Sequence, residues 1–278
     1  MRELERDPTT DSAIAEARGA VTPALPPLAI VGAGRVGGSL AGAAGRAGLS
    51  ATIAGREEAL ESCRDARAAL LCVPDGAITE AAATITAAIP PLELVGHTSG
   101  ATGLDALGPA LDAGASVFSL HPLQTIPDAN ADFTGCPCAI AGSDADAVRF
   151  ACAFAQRLGM RPFEIDDEHR AAYHAAASIA SNFLVTLQES AAELLGATGA
   201  EDARELLSPL VLRTAANWSE RGPDALTGPI GRGDEATVER HLEALRERAP
   251  ELVGLYEVLA DRTREIATRR AADKERAR

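Results

Sequence analysis

Four short segments of this chain hold residues whose types and spacing suit chemistry. Gly32-Ala33-Gly34-Arg35-Val36-Gly37 is a GxGxxG turn that follows the apolar run Leu28–Val31 and opens an alanine-rich stretch. In that context Gly32 permits the tight turn. Gly34 lets backbone approach a pyrophosphate, and Gly37 lets helix and strand pack closely. The amide hydrogens of the helix start then face the phosphates of a dinucleotide. About 20 residues on, an NAD site would carry an acid for the ribose. The sequence has Ala54-Gly55-Arg56 instead, so the pattern favours NADP(H), with Arg56 for the 2′-phosphate and Arg35 assisting.

Three polar clusters each follow an apolar run: Val73-Pro74-Asp75, His97-Thr98-Ser99-Gly100 and His121-Pro122-Leu123-Gln124-Thr125. Ligands of open α/β sheets bind beyond the carboxyl ends of strands, so all three are expected to face one crevice. Val73, Pro74 and Asp75 are assigned to the wall beside the cofactor, and Ser99 and Gly100 to the nicotinamide or the substrate. His121 is a candidate proton donor, because imidazole titrates near neutral pH. A turn-forming histidine bonded to backbone is the alternative.

The fourth segment, Tyr173 to Asn182, reads as helix. His174, Ser178 and Asn182 stand at i, i+4 and i+8, a polar stripe among alanines rising ~12 Å. It is expected to face substrate, or else to form a helix–helix or dimer seam. Further on, Thr227–Asp234 is a glycine-rich loop presenting Arg232, suited to a carboxylate, or a plain helix connector.

Positioning these groups requires a scaffold, and its pattern is legible. Apolar runs at 28–31, 50–54, 68–73, 92–95, 116–120, 138–141 and 161–165 alternate with helical stretches, which predicts a doubly wound parallel sheet of the Rossmann type. Beyond 166 the periods are helical only, at 167–196, 202–220, 235–248 and 251–270. The expected organisation is a leader at 1–26, a dinucleotide-binding domain at 27–165, an all-α substrate and dimerisation domain at 166–262, and a charged tail at 263–278, read as a frayed helix end.

Composition narrows the function further. The net charge of −14 over 278 residues argues against nucleic acid. No run approaches the ~18 apolar residues of a membrane span, and the start lacks a signal-peptide core, so a cytoplasmic protein is expected. Five cysteines without a CxxC suggest reduced thiols, and the histidines have no metal-ligand spacing, so no metal is expected. Lys274 is the single lysine, which leaves acid–base work to histidine and anion binding to arginine. The 59 alanines imply closely packed helices with apolar surface to spare, hence a homodimer.

From about Leu28 to Leu259 the sequence resembles bacterial proteins that pair a Rossmann-like domain with the C-terminal domain of unknown function 2520. These sit in the 6-phosphogluconate-dehydrogenase-like group of NADP oxidoreductases. The resemblance rests on GAGRVG, LCVPD, HTSG, SLHPLQT, HRAAYHAAASIASNF and LTGPIGRGD. It implies two relatives. Against ketopantoate reductases, His174 stands where a catalytic lysine is usual, with Ser178 and Asn182 at the two asparagine positions. Against prephenate dehydrogenases, Ser99 and His121 stand at the serine and catalytic histidine. The analogies nominate different histidines. The expected activity is NADPH-dependent reduction of a small α-keto acid, ketopantoate foremost, with Ser178 and Asn182 orienting substrate and Arg232 pairing its carboxylate. Imine or prephenate-type chemistry, and a non-catalytic NADP(H)-binding dimer, are the alternatives.

Overall fold

The computed structural model describes residues 24–88 and 90–277. The leader expected at 1–26 lies almost wholly outside the described residues. The chain divides into two compact units, the first extending to Ser178 and the second starting at Ile179.

The first unit is built on seven strands: β1 (Leu28–Val31), β2 (Ala51–Ala54), β3 (Ala68–Leu71), β4 (Leu94–His97), β5 (Ser116–Pro122), β6 (Pro137–Gly142) and β7 (Arg161–Glu164). Their order in the sheet is β2-β1-β3-β4-β5-β6-β7. The first five are parallel, as the alternation predicts. β6 departs from it by running antiparallel to β5, and β7 then pairs parallel with β6. The cause is the connection. Residues 123–136 contain no helix, so the chain returns beside β5 instead of crossing over.

Helices α1 (Arg35–Arg46), α2 (Ala59–Ser62), α3 (Ile78–Ile85), α4 (Gly108–Asp112) and α5 (Ala145–Arg157) link the strands. The strands are apolar on both faces, and two buried clusters flank the sheet. One holds Ile30, Leu40, Leu70, Phe118 and Phe154, the other Val31, Leu71, Ile78, Ile85 and Val117. This is the two-sided burial that an α/β sheet requires. Asp144 caps α5, its carboxylate accepting from the amides of Asp146 and Ala147.

The helix expected to run unbroken through 167–196 is divided. A 3₁₀ turn at Asp167–His169 leads into α6 (Arg170–Ala180), Ser181 leaves helical geometry at φ −118°, ψ −70°, and α7 (Asn182–Gly196) follows. The helical stripe is therefore interrupted. His174 and Ser178 belong with the sheet unit, whereas Asn182 belongs with the second.

The second unit is helical throughout its described residues: α7, α8 (Ala203–Arg221), α9 (Pro229–Arg232), α10 (Glu235–Arg248) and α11 (Val253–Arg276). The segment read as a frayed charged tail is instead helix to Arg276, secured by Lys274 paired with Asp224 at 2.6 Å and by Arg270 Nη1 donating to the carbonyl of Leu226. The loop at 227–234 contains the one-turn helix α9, and Asp234 caps α10 through the Thr237 amide.

Candidate functional site

The glycine turn has the geometry its sequence requires. Gly32 sits at φ +115°, and a Cβ there would meet the Cys72 carbonyl oxygen at 2.3 Å. A Cβ on Gly37 would lie 1.9 Å from the Gly32 carbonyl, so both positions demand glycine for close packing. Gly34 differs, because a Cβ there would meet nothing within 4 Å. Open space above Gly34 is what a pyrophosphate needs. No side chain caps α1, so the amides of its first turn remain available.

A cavity of about 290 Å³ opens on this turn. Gly32, Ala33 and Gly34 form one side, Val73 and Pro74 another, and Arg56 stands at its edge with an exposed guanidinium. No acid occupies the end of β2, where Ala54 is followed by Gly55 and Arg56. These residues fit a dinucleotide bearing a 2′-phosphate.

A second cavity, about 410 Å³, shares Cys72 and Val73 with the first. Arg35, Val36, Asp75, Ser99, Gly100, His121 and His174 line it. Both nominated histidines therefore belong to one site, their ring centroids 5.9 Å apart. Gly100 lies between them. A Cβ at residue 100 would be 2.8 Å from His121 Nε2 and 2.6 Å from His174 Nδ1, so only glycine lets the loop after β4 pack this closely against the two rings. Nδ1 of His174 is buried and makes no hydrogen bond.

Each element delivers its group by a local cause. β5 continues through His121 and Pro122, two residues beyond the predicted stop, because the pairing with β6 extends it. β4 likewise includes His97, which is fully buried and lies under the site. His97 Nδ1 accepts from the Ser99 amide at 3.2 Å, and its Nε2 lies 3.2 Å from the Gly103 carbonyl. A neutral ring protonated on Nε2 satisfies both, so His97 braces the loop carrying Ser99 and Gly100. Burial drives its pKa down to about 4, with the Arg170 charge adding to the effect. Ser99 Oγ accepts from the amides of Ala101 and Thr102 and bonds Thr102 Oγ1 at 3.0 Å, which shapes the turn. Across the cavity, Ser39 Oγ donates to the Asp128 carbonyl and accepts from the Ala131 amide. This holds the 123–136 connection over α1 and sets Gln124 and Ile126 at the rim.

Two residues of the site carry no signal of their own in the reading of the sequence. Arg170 is 1% exposed. Its Nε donates to Asp167 at 2.9 Å and its Nη2 to Ser119 Oγ at 2.5 Å, and Nη1 reaches the Ser99 carbonyl at 3.5 Å. Asp167 also accepts from the Leu104 amide, so one ion pair ties α6 to β5 and to the loop after β4. Tyr173 packs against Phe163, and its hydroxyl lies 2.6 Å from His121 Nδ1. Arg170, Tyr173 and His174 at i, i+3 and i+4 share one helix face, which is the signal that spacing could have offered.

The remaining nominated residues line neither cavity. Ser178 is half-buried near the end of α6. Asn182 and Arg232 are exposed in the second unit, the former at the first position of α7 and the latter at the last of α9. All five cysteines are free, and burial raises Cys72, in the cavity wall, to about 12.

A family model for a domain of unknown function, DUF2520, matches residues 136–263. No curated protein matches the chain. Among solved structures, the chain is similar to a Bacteroides fragilis protein described as an NADP oxidoreductase, with TM-score 0.70, 26% identity, and coverage of 87% of this chain and 98% of that one. It is also similar to the Plasmodium falciparum pyrroline carboxylate reductase with NADP bound (TM-score 0.59, 14% identity, 87% and 98% covered). A third is the reductive aminase of Aspergillus terreus in complex with NADPH and ethyl levulinate (0.62, 17%, 88% and 98%). At these last two identities the likeness is one of fold. Among the described residues no helix is long and apolar enough to cross a membrane.

Proposed function

We propose that this chain is an NADP(H)-dependent oxidoreductase that reduces a small α-keto acid, with ketopantoate as the leading candidate. The observation that carries the reading is that His121 and His174, both packed against Gly100, line one cavity adjoining the glycine turn. The cofactor, when bound, supplies a hydride to the substrate's electrophilic carbon. The chain's own task is to hold the cofactor and manage the proton.

The amides at the start of α1 hold the pyrophosphate, and Arg56 the 2′-phosphate. As the carbonyl carbon gains hydride, its oxygen becomes an alkoxide and must receive a proton. In this reading His174, whose Nδ1 has no hydrogen-bond partner, gives it, and His121 shares the developing charge. Ser178 orients the substrate in this scheme, and Arg35 at the cavity is the guanidinium offered to its carboxylate.

Imine reduction is the second reading. Asp75 lines the same cavity and would stabilise a positively charged iminium, which needs no proton donor on the product nitrogen. The pyrroline carboxylate reductase and reductive aminase likenesses point the same way. A panel of α-keto acids and cyclic imines, assayed by NADPH oxidation, separates the two. Turnover of neither class overturns both.

Arg56→Ala is expected to weaken NADPH binding by roughly 10–100-fold, the worth of a lost charge-assisted hydrogen bond, while leaving NADH binding nearly unchanged. Calorimetric titration of both nucleotides checks it. Equal losses for the two would remove Arg56 from the phosphate site.

The second unit leaves large apolar side chains in the open, with Leu212 at 71%, Val258 at 67% and Trp218 at 65% exposure, and Phe183, Val185, Leu206 and Leu210 also more than half exposed. Patches of this kind mark association surfaces. We assign them to a second copy of the chain. Equilibrium sedimentation at micromolar concentration is expected to give a dimer, and a monomer alone refutes the assignment. Reduced thiols fit a cytoplasmic setting.

A further inference from the structure

We propose that Tyr173 is a positioning residue that fixes His121 as the neutral tautomer carrying its proton on Nε2, so that His121 serves the cavity as a hydrogen-bond donor and leaves proton release to His174. This rests on the reading of the cavity as the substrate site.

The geometry leaves two arrangements for the 2.6 Å contact between Tyr173 Oη and His121 Nδ1. Either the phenol donates to a bare Nδ1, or a protonated Nδ1 donates to the phenol oxygen. Among the described residues the phenol has no other hydrogen-bond partner. In the second arrangement its proton would be stranded in a half-buried site, a cost that the first avoids. Phe163 packs against the Tyr173 ring and holds it at this angle. With Nδ1 accepting, a neutral His121 must carry its proton on Nε2, on the ring edge that packs against Gly100 in the cavity lining.

The surroundings keep the ring neutral. Burial pushes His121 down to about 4. The charged and titratable groups facing it are His174, Tyr173 and Arg170 from α6, His97 from β4 and Asp75 beyond β3. His174, and after it the guanidinium of Arg170, add to the cost of an imidazolium, and only Asp75, exposed at the cavity edge, opposes it. Burial also raises Tyr173 to about 12, so the phenol keeps the proton it shares. A neutral imidazole donating to a carbonyl oxygen polarises it without giving up its proton. His174 has a different situation, because no hydrogen-bond partner fixes its Nδ1.

The test reads the tautomer directly. The full chain, labelled with ¹⁵N, gives histidine ring spectra in which protonated and bare nitrogens resonate far apart, and the His121 signals are identified by their loss in His121→Asn. In the unsubstituted protein without substrate, Nε2 is expected to be protonated and Nδ1 bare, unchanged between pH 7.5 and 5.5. In Tyr173→Phe the two tautomers are expected to mix. On a confirmed substrate kcat is expected to fall about tenfold with KM within about twofold, because donation to the reacting oxygen matters most as charge develops. A protonated Nδ1 in the unsubstituted protein, or a Tyr173→Phe spectrum identical to it, overturns the proposal. The unsubstituted spectrum decides the matter even if Tyr173→Phe fails to fold. Because it is taken without substrate, a wrong substrate class cannot produce either overturning result.

Discussion

Replacing His174 with alanine is expected to lower kcat by roughly 10²–10⁴, the usual worth of a positioned general acid, with NADPH affinity within about twofold of the parent. The expectation follows from what the ring does not do. Its Nδ1 is buried and bonds to nothing, which is a cost to the fold unless a ligand atom takes that place. Stability should therefore hold or improve in His174→Ala, while turnover collapses. His121→Ala should lose less in kcat than His174→Ala, because a neutral hydrogen-bond donor stabilises charge without supplying the proton. Added imidazole should restore part of the His174→Ala rate and little of the His121→Ala rate. Rates, KM and NADPH titrations on the two variants decide this. Full turnover in both would mean that the proton comes from elsewhere. Equal losses with no rescue of either would remove the division between the rings.

The sequence was informative where local chemistry dictates structure. The GxGxxG spacing is a steric requirement, and the contacts at Gly32 and Gly37 are backbone contacts that only glycine survives. The strand ends were legible because a buried parallel strand is apolar until it leaves the sheet. His121 and His174, drawn from two different resemblances, face one cavity. What stayed hidden depends on partners distant in sequence. β6 turns antiparallel because the 123–136 connection forms no crossover helix, and its apolar pattern would look the same in either direction. The break at Ser181 carries no glycine or proline, and helical periodicity runs through it. Arg170 reads as a solvated cation in any window, yet it is buried and its guanidinium donates to Ser119 of β5, far away in sequence. Tyr173 reads as one aromatic among alanines until β5 brings His121 to its hydroxyl.

Mild acid should destabilise the sheet unit well before its carboxylates titrate. His97 and His121 are each held near 4 in the fold, first by burial, against an ordinary value of 6.5. Between those values the unfolded chain binds a proton that the folded chain refuses. Stability therefore falls as pH drops from about 6.5 towards 4, and is fully retained above 6.5. For one fully buried ring the loss by pH 4 is roughly 3 kcal/mol, and the half-buried His121 contributes less. Carboxylates such as Asp144 are held below 3.8 by their hydrogen bonds, so their share is lost at lower pH. The structure also says where the strain falls. Protonating His97 Nδ1 turns the acceptor of the Ser99 amide into a second donor facing a donor, and the loop bearing Ser99 and Gly100 loses its brace. Urea unfolding followed by circular dichroism at intervals from pH 7.5 to 4.5 should show a falling free energy at constant m-value. His97→Asn should flatten the slope by up to one proton's worth, and hydrogen exchange at residues 98–104 should quicken first in the parent protein. A free energy level across this range, or a slope untouched by His97→Asn, would mean that these rings take up protons in the fold as readily as in the unfolded chain. The neutral brace beneath the imidazoles of His121 and His174 would then have to be abandoned.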